Sequence, residues 1–352
     1  LLSPYQLGGG VNNKSVFFGR QEIIDHILNR EPANYLLVGG RQLGKSSLLK
    51  ALERRFQDQG DVICFYLALA SEVLIPRLIS LLKLPKESDI NALTEYAEKS
   101  DKRLVFLIDE ADKFIATERE HDYQILNTLR QMSEEGRCFF ILAGFWELYQ
   151  HAVLDYKSPL KNFAETIQIG ALEDEACRLL ATEPMKTMRL EYANSRLVEG
   201  LLENTGGRAN LIAIVCHQII EHLESNQRII NREDVQRAIN SEKTLNALRG
   251  WGAMTDDQQA CRLDRIIVYT TVELDRFTLD QLLELLKQHQ IKLIMEMIEQ
   301  SLARLELGFV LGREKKRQYK YQVPLFQEMI LTESPATKLR LEIDDWNAAQ
   351  DI

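Results

Sequence analysis

The octapeptide GGRQLGKS, Gly39 to Ser46, narrows the fold of this chain more than any other feature. It follows an apolar run, YLLV, and opens an amphipathic stretch, SSLLKALERRF. Glycines in such a loop let backbone amides turn inward around phosphate oxygens, and the amino end of the next helix adds positive dipole. GxxxxGK(S/T) between a strand and a helix is therefore a phosphate-binding loop, and it demands an α/β sheet to carry it. Lys45 supplies the ammonium that reaches the outer phosphates of a nucleoside triphosphate, and Ser46 supplies a hydroxyl for Mg²⁺. Gly39, Gly40, Arg41, Gln42, Leu43, Gly44, Lys45, Ser46 and Ser47 are expected around the phosphates of ATP or ADP.

RLVFLIDEAD, residues 103–112, supplies the second half of such a site. Apolar residues precede Asp109 and Glu110, so both carboxylates emerge at the carboxyl end of a buried strand, where ligands sit in open α/β sheets. Asp109 is expected to hold Mg²⁺ through water, and Glu110 to act catalytically with Lys45 by polarising the attacking water. An acidic pair in this position also serves as a helix cap; the upstream loop favours the chemical role.

Further apolar runs fall at VICFYLAL (62–69), CFFILAG (138–144) and ETIQIGAL (165–172), with amphipathic helical patterns between them. Continuous hydrophobic strands of this kind suit a parallel sheet covered on both faces. Strand signals stop near residue 172. Residues 173–245 read as wholly helical, with Asn231 as an N-cap ahead of Glu233 and Asp234. After the Gly-containing junction LRGWGAM (248–254), three helices lead to two short strands, GFVLGRE and QYKYQV, the order of a winged helix. The expected organisation is an α/β nucleotide-binding domain over 1–172, a helical lid over 173–250, a winged helix over 251–335 and a peripheral acidic tail over 336–352.

The net charge of −9 opposes a protein devoted to coating nucleic acid. Five cysteines without a CxxC pair read as buried, reduced thiols. His217 and His222 are spaced five apart, so on a helix they do not share a face, and no metal-binding histidine pair is expected. No apolar run approaches a membrane span and no secretory signal opens the chain, so a cytoplasmic protein is expected. The chain begins without Met and reads as a piece excised from a longer protein.

At this point the chain resembles AAA+-like P-loop ATPases of the STAND class, in the bacterial and archaeal branch related to origin-recognition initiators. The resemblance extends over about residues 4 to 332. Phe17, Phe18, Gly19 and Arg20 match that group's FxGR box, which implies a place for Phe18, Gly19 and Arg20 beside the adenine; packing of the entry segment on the sheet is the plainer reading. FILAGFWELY (140–149) is similar to the sensor-1 strand, where many relatives carry Asn, Thr or Ser. Here Ala143 and Gly144 stand instead. A missing polar contact in the transition state commonly costs ~10²-fold in rate, which implies slow hydrolysis. NTGGRANLIAIVCHQII (204–220) resembles the lid turn carrying sensor 2, making Arg208 either a phosphate contact or an ordinary surface arginine. Arg130 and Arg137 stand where a neighbouring subunit's arginine finger is expected, or are simply solvated.

The resemblance implies a five-stranded parallel AAA+-type sheet followed by lid and winged helix, and a nucleotide switch. ADP favours a closed monomer, whereas ATP favours self-association and action on a protein effector, on a missing segment or a separate chain. Contact with DNA through the winged helix is the competing reading. The presumed recognition helix, Ile291 to Leu307, is expected to bury Leu293, Ile294, Met297, Ile298, Leu302 and Leu305. Its outward face would carry Lys292, Arg304, Glu296, Glu299 and Glu306, a net negative surface that opposes phosphates. The turn REKKRQYK (313–320), with Arg313, Lys315, Lys316, Arg317 and Lys320, is the feature that supports DNA.

Overall fold

The continuous apolar runs form five strands of one parallel sheet: β1 (Tyr35–Val38), β2 (Val62–Ala68), β3 (Arg103–Asp109), β4 (Cys138–Gly144) and β5 (Glu165–Gln168). Their order is β2-β3-β4-β1-β5, all pairs parallel. The central β1 and β4 are buried throughout, β3 from Leu104 onward, while the edges β2 and β5 are only partly covered. That gradient follows the sequence, because only strands covered on both faces need unbroken hydrophobics. Phe65, Phe106 and Phe140 lie opposite one another across β2, β3 and β4, with ring centroids 5.2 and 5.5 Å apart. Each such stacked pair adds about 0.5–1.5 kcal/mol beyond area burial.

This computed structural model describes residues 2–8, 10–70, 73–291 and 294–350, the side chains of Lys316 and Gln350 aside. The chain forms two units, Gly8–Ile169 around the sheet and a second one of Leu1–Leu7 with Gly170–Ile352.

In the first unit the helix Lys45–Gln57 buries Leu48, Leu49, Leu52 and Phe56, the stripe that its sequence period demands. The order β3-β4-β1 places the ends of the phosphate-loop strand and of the acidic strand on either side of β4.

The second unit begins with helices Asp174–Thr187, Ser195–Thr205, Ala209–His222, Arg232–Ile239 and Glu242–Leu248. The expectation of a wholly helical segment is corrected here. β6 (Glu191–Tyr192) and β7 (Ile229–Ile230) pair in parallel, strands too short to give an alternating signal. Asn231 caps its helix in a reciprocal box with Asp234, whose carboxylate accepts from the Asn231 amide at 2.9 Å.

The helices Gln258–Thr271, Leu279–Gln288 and Met295–Leu307 follow, with β8 (Phe277–Thr278), β9 (Leu311–Arg313) and β10 (Gln318–Tyr321) in the antiparallel order β8-β10-β9. Arg304, expected on the outer face, is instead buried and paired to Asp264, Nε to Oδ2 at 2.7 Å. Ile294, expected on the apolar face, is 68% exposed because it precedes the helix as its N-cap. Lys292 and Leu293 lie outside the described residues. The segment expected as a peripheral tail is also corrected. Pro335–Gln350 is a helix that buries Trp346 and joins Arg265 to Glu342 at 2.6 Å and Arg262 to Asp345 at 3.3 Å. Two of its acids, Glu342 and Asp345, pair with those arginines.

All five cysteines are unpaired and all but the half-buried Cys64 are buried. No helix among the described residues is long and apolar enough to cross a membrane.

Candidate nucleotide-binding site

The phosphate loop leaves β1 between two neighbours. Ile169 donates to the Val38 carbonyl at 2.7 Å, and Gly39 donates to the Gly144 carbonyl at 3.3 Å. A Cβ at Gly39 would lie 2.6 Å from the Ile169 carbonyl oxygen, so glycine is required there by space. At Gly44, where φ is +91°, nothing crowds a Cβ, and glycine is required by the backbone itself. Between them Arg41 and Gln42 are exposed, while the Leu43 side chain is buried in the core. Gly40 is buried; Ser46 and Ser47 are half-buried on the first turn of the helix.

The Lys45 ammonium donates to the carbonyls of Gly39 at 2.7 Å and Gly40 at 2.6 Å, folded back along the loop. Burial lowers its pKa to about 8 against the attraction of Asp112, Asp109 and Glu110, and Arg41 adds to the lowering. Three carboxylates therefore converge electrostatically on one lysine.

Asp109 ends β3 and is 3% exposed. One oxygen accepts from the Tyr66 hydroxyl at 3.1 Å and the other from the Glu110 amide at 3.0 Å. No ion pair to Asp109 forms among the described residues. Glu110 follows in the left-handed region with φ of +57° and an exposed side chain. A non-glycine residue held there carries strain, a condition that clusters at functional sites. The Ala111 amide anchors the turn on the Ala143 carbonyl at 2.9 Å.

The donor set suits a hydrated Mg²⁺, which binds one or two protein groups besides phosphate oxygens and water. Asp109 is buried and forms no close ion pair among the described residues, so a further positive charge beside it would be favourable. Ser46 and Asp109 are the residues that would hold the ion, and it would supply neutralisation of phosphate charge.

Residues of the FxGR box support the loop. Arg20 is buried, adopts φ of +62°, and donates from its guanidinium to the Leu43 carbonyl at 3.2 Å. Phe18 and Gly19 are half-buried beside it in sequence. The entry segment also reaches the loop. The Val11 amide donates to the Ser47 hydroxyl at 2.9 Å, and a Cβ on Gly10 would stand 3.0 Å from Ser46 Cβ. Arg208 belongs to the second unit, as N-cap of Ala209–His222, and burial lowers its pKa to about 10. Arg130 pairs with Glu134 at 2.8 Å, and Arg137 donates to the Glu98 carbonyl at 3.1 Å. Arg137 precedes β4 and so lies at the opposite end of the sheet from the loop.

Two further residues shape the site without a motif to mark them. Asp112 accepts from the amides of Phe145, at 2.9 and 2.8 Å on its two oxygens, and Leu148, at 3.1 Å, pinning the turn after β4. Tyr66 was readable from register alone, since Ala68 faces Asp109 and period two places Tyr66 on the same side.

The sequence matches the family model Novel STAND NTPase 1 over residues 10–275. No curated protein matches significantly. Among solved structures the chain is similar to the Walker-type ATPase PABY2304 of Pyrococcus abyssi, with TM-score 0.63 and 15% identity over 92% of this chain and 98% of that one. It is also similar to the ORC2 protein of Aeropyrum pernix, with TM-score 0.58 and 14% identity over 97% of this chain and 99% of that one. The fold is thus that of AAA+-like P-loop ATPases, origin-recognition proteins among them. With its phosphate loop, acidic strand and sheet order inside the matched stretch, the chain belongs to the novel STAND NTPase 1 family.

Proposed function

We propose that this protein binds ATP with Mg²⁺ and uses it as a slowly hydrolysing switch that controls domain arrangement and self-assembly in signalling or defence. One observation carries the reading. The loop over residues 39–46 and the carboxylates of Asp109 and Glu110, which we read as the phosphate and cation groups, stand beside a β4 end where Ala143 and Gly144 offer no polar side chain and Gly144 has no room for one. A Cβ on Gly144 would lie 2.9 Å from Leu148 Cβ and 3.0 Å from an Asp112 carboxylate oxygen. Transition-state contacts of the missing kind are worth ~10²–10³ in rate, so turnover is slow while binding is intact. Lys45 and Glu110 act in hydrolysis, and Phe18 and Gly19 stand beside the base.

A ligand shifts a domain equilibrium only by binding its states differently. Arg208 is the residue through which the helical unit would sense the nucleotide. We read residues 173–250 as a lid and 251–335 as a winged helix acting as an intramolecular clamp. Supporting that role, Gly206 lies so near the segment before Pro324–Thr332 that a Cβ would come 2.1 Å from the Gln322 carbonyl oxygen. The effector would be a protein, on another segment or chain.

The test is ATP retention and particle size for wild type and Lys45→Ala, with phosphate release by Glu110→Gln as a turnover control. Wild type should hold ATP and enlarge with a non-hydrolysable analogue, and Lys45→Ala should do neither. Equal retention by the two proteins ends the reading.

A DNA-associated ATPase is the second reading, favoured by exposed Lys315 and Arg317 at the ribbon turn. Around them the positive charge is largely spent: Arg313 pairs with Glu306 at 2.9 Å and Lys320 with Glu314 at 2.7 Å. Salt-dependent retention on duplex DNA, lost on neutralising Lys315 and Arg317, would decide for it.

A further inference from the structure

Tyr66 lies on β2, outside the residues assigned above to phosphate or cation. In the β2–β3 register Tyr66 faces Leu107 and Ala68 faces Asp109. Tyr66 and Asp109 thus share a face of the sheet, offset by two positions, and a long side chain leaning along its strand spans that offset. Its hydroxyl donates to Asp109 Oδ2 at 3.1 Å, while Oδ1 accepts from the Glu110 amide at 3.0 Å.

Each oxygen therefore has one donor, and the plane of the carboxylate is held from two sides. Both donors are neutral, so the orientation is fixed without cancelling the charge that would attract a cation. The ring is itself steadied, with the Lys50 ammonium 5.9 Å from its centroid.

We infer that Tyr66 is a positioning residue for the Mg²⁺–nucleotide site, acting through Asp109. The inference rests on the reading of the site as a Mg·ATP pocket. Partners that orient a metal ligand typically change metal affinity ~10–100-fold when removed, because the ligand must then be ordered by the metal.

Tyr66→Phe removes one hydroxyl and keeps the ring. With a fluorescent ATP at fixed concentration, Mg²⁺ is titrated against wild type, Tyr66→Phe, Asp109→Asn and the double variant. Nucleotide affinity is also measured in EDTA, and the melting midpoint without ligand. The expected result is a roughly tenfold rise in the Mg²⁺ needed by Tyr66→Phe, the lower edge of that range. Affinity in EDTA and the midpoint should match wild type, and the double variant should behave like Asp109→Asn alone. An unchanged Mg²⁺ requirement overturns the inference, as does equal weakening with and without Mg²⁺, the mark of a merely structural tyrosine. Wild type that binds nucleotide without any Mg²⁺ dependence would sink the cation site as well, an outcome distinct from failure of Tyr66 alone.

Discussion

Arg20 donates to the main-chain carbonyl of Leu43, 3.2 Å away, so the segment preceding the sheet is bonded to the middle of the phosphate loop. Arg20 is 6% exposed and Leu43 is itself in the core, so both halves of this contact are fixed by packing. Arg20→Ala leaves a buried carbonyl short of a donor, at a cost of about 1–3 kcal/mol. Because that carbonyl lies inside the loop, the loss should appear in ligand binding: ATP affinity falls about tenfold or more, 1.4 kcal/mol being one decade. Calorimetric titration of the variant checks this. An unaltered dissociation constant with a lowered melting midpoint would confine Arg20 to stability.

Packing around Gly144 leaves the end of β4 without room for a polar side chain. A Cβ on Gly144 would meet Leu148 and the Asp112 carboxylate, and that carboxylate holds the Phe145 and Leu148 amides. Gly144→Ser, which would supply the kind of polar residue that the resemblance to AAA+-like ATPases leads one to expect there, should therefore fail to accelerate hydrolysis. Overpacking of this kind costs about 1–3 kcal/mol. The measurements are single-turnover hydrolysis and thermal unfolding, with a lower midpoint and no gain in rate expected.

Lys45 gives the binding a pH dependence. Burial holds its folded pKa at about 8, below the 10.5 of a free lysine. Between those values the unfolded chain binds more protons than the native one, so the contribution of Lys45 to ligand-free stability rises with pH across that window. Phosphate binding runs the opposite way, because it requires the ammonium. ATP affinity should be flat below pH 7.5 and fall above about pH 8, by up to tenfold per unit until the pKa of the complex is reached. Dissociation constants from pH 7 to 9.5 for wild type and Lys45→Arg provide the check, and the arginine variant should lose the slope.

What the sequence disclosed and what it hid divide by distance along the chain. The phosphate loop and the five strands were legible because motif and burial both act within a few residues; CFFILAG became β4 at residues 138–144. The burial of Arg304 is not legible from its own helix, because the partner that draws it inward, Asp264, is 40 residues away. The last helix looked peripheral for the same reason, since the link from Arg265 to Glu342 spans 77 residues. Ala143 and Gly144 could be read as lacking a polar group, yet only the structure shows Asp112 filling that space.

The Asp264–Arg304 pair also makes a stability prediction. Both side chains are buried, and the guanidinium donates Nε to Oδ2 and a terminal nitrogen to Oδ1, each at 2.7 Å, while Ser301 donates to Oδ1. Breaking such a pair from one side leaves a buried charge and costs about 3–5 kcal/mol, whereas replacing both members by apolar residues is often neutral. Arg304→Ala should therefore unfold at a distinctly lower temperature, and Arg304→Met combined with Asp264→Leu should recover most of the loss. Burial already raises the Asp264 pKa, with Arg304 the largest opposing influence. Removing Arg304 lets it climb further, so the native state binds a proton more tightly than the unfolded chain. The raised group then stabilises below the ordinary aspartate range and loses that effect as pH rises through its folded pKa. The Arg304→Ala deficit should accordingly be smaller at pH 5 than at pH 8, measured as the difference in unfolding midpoint from wild type at each pH.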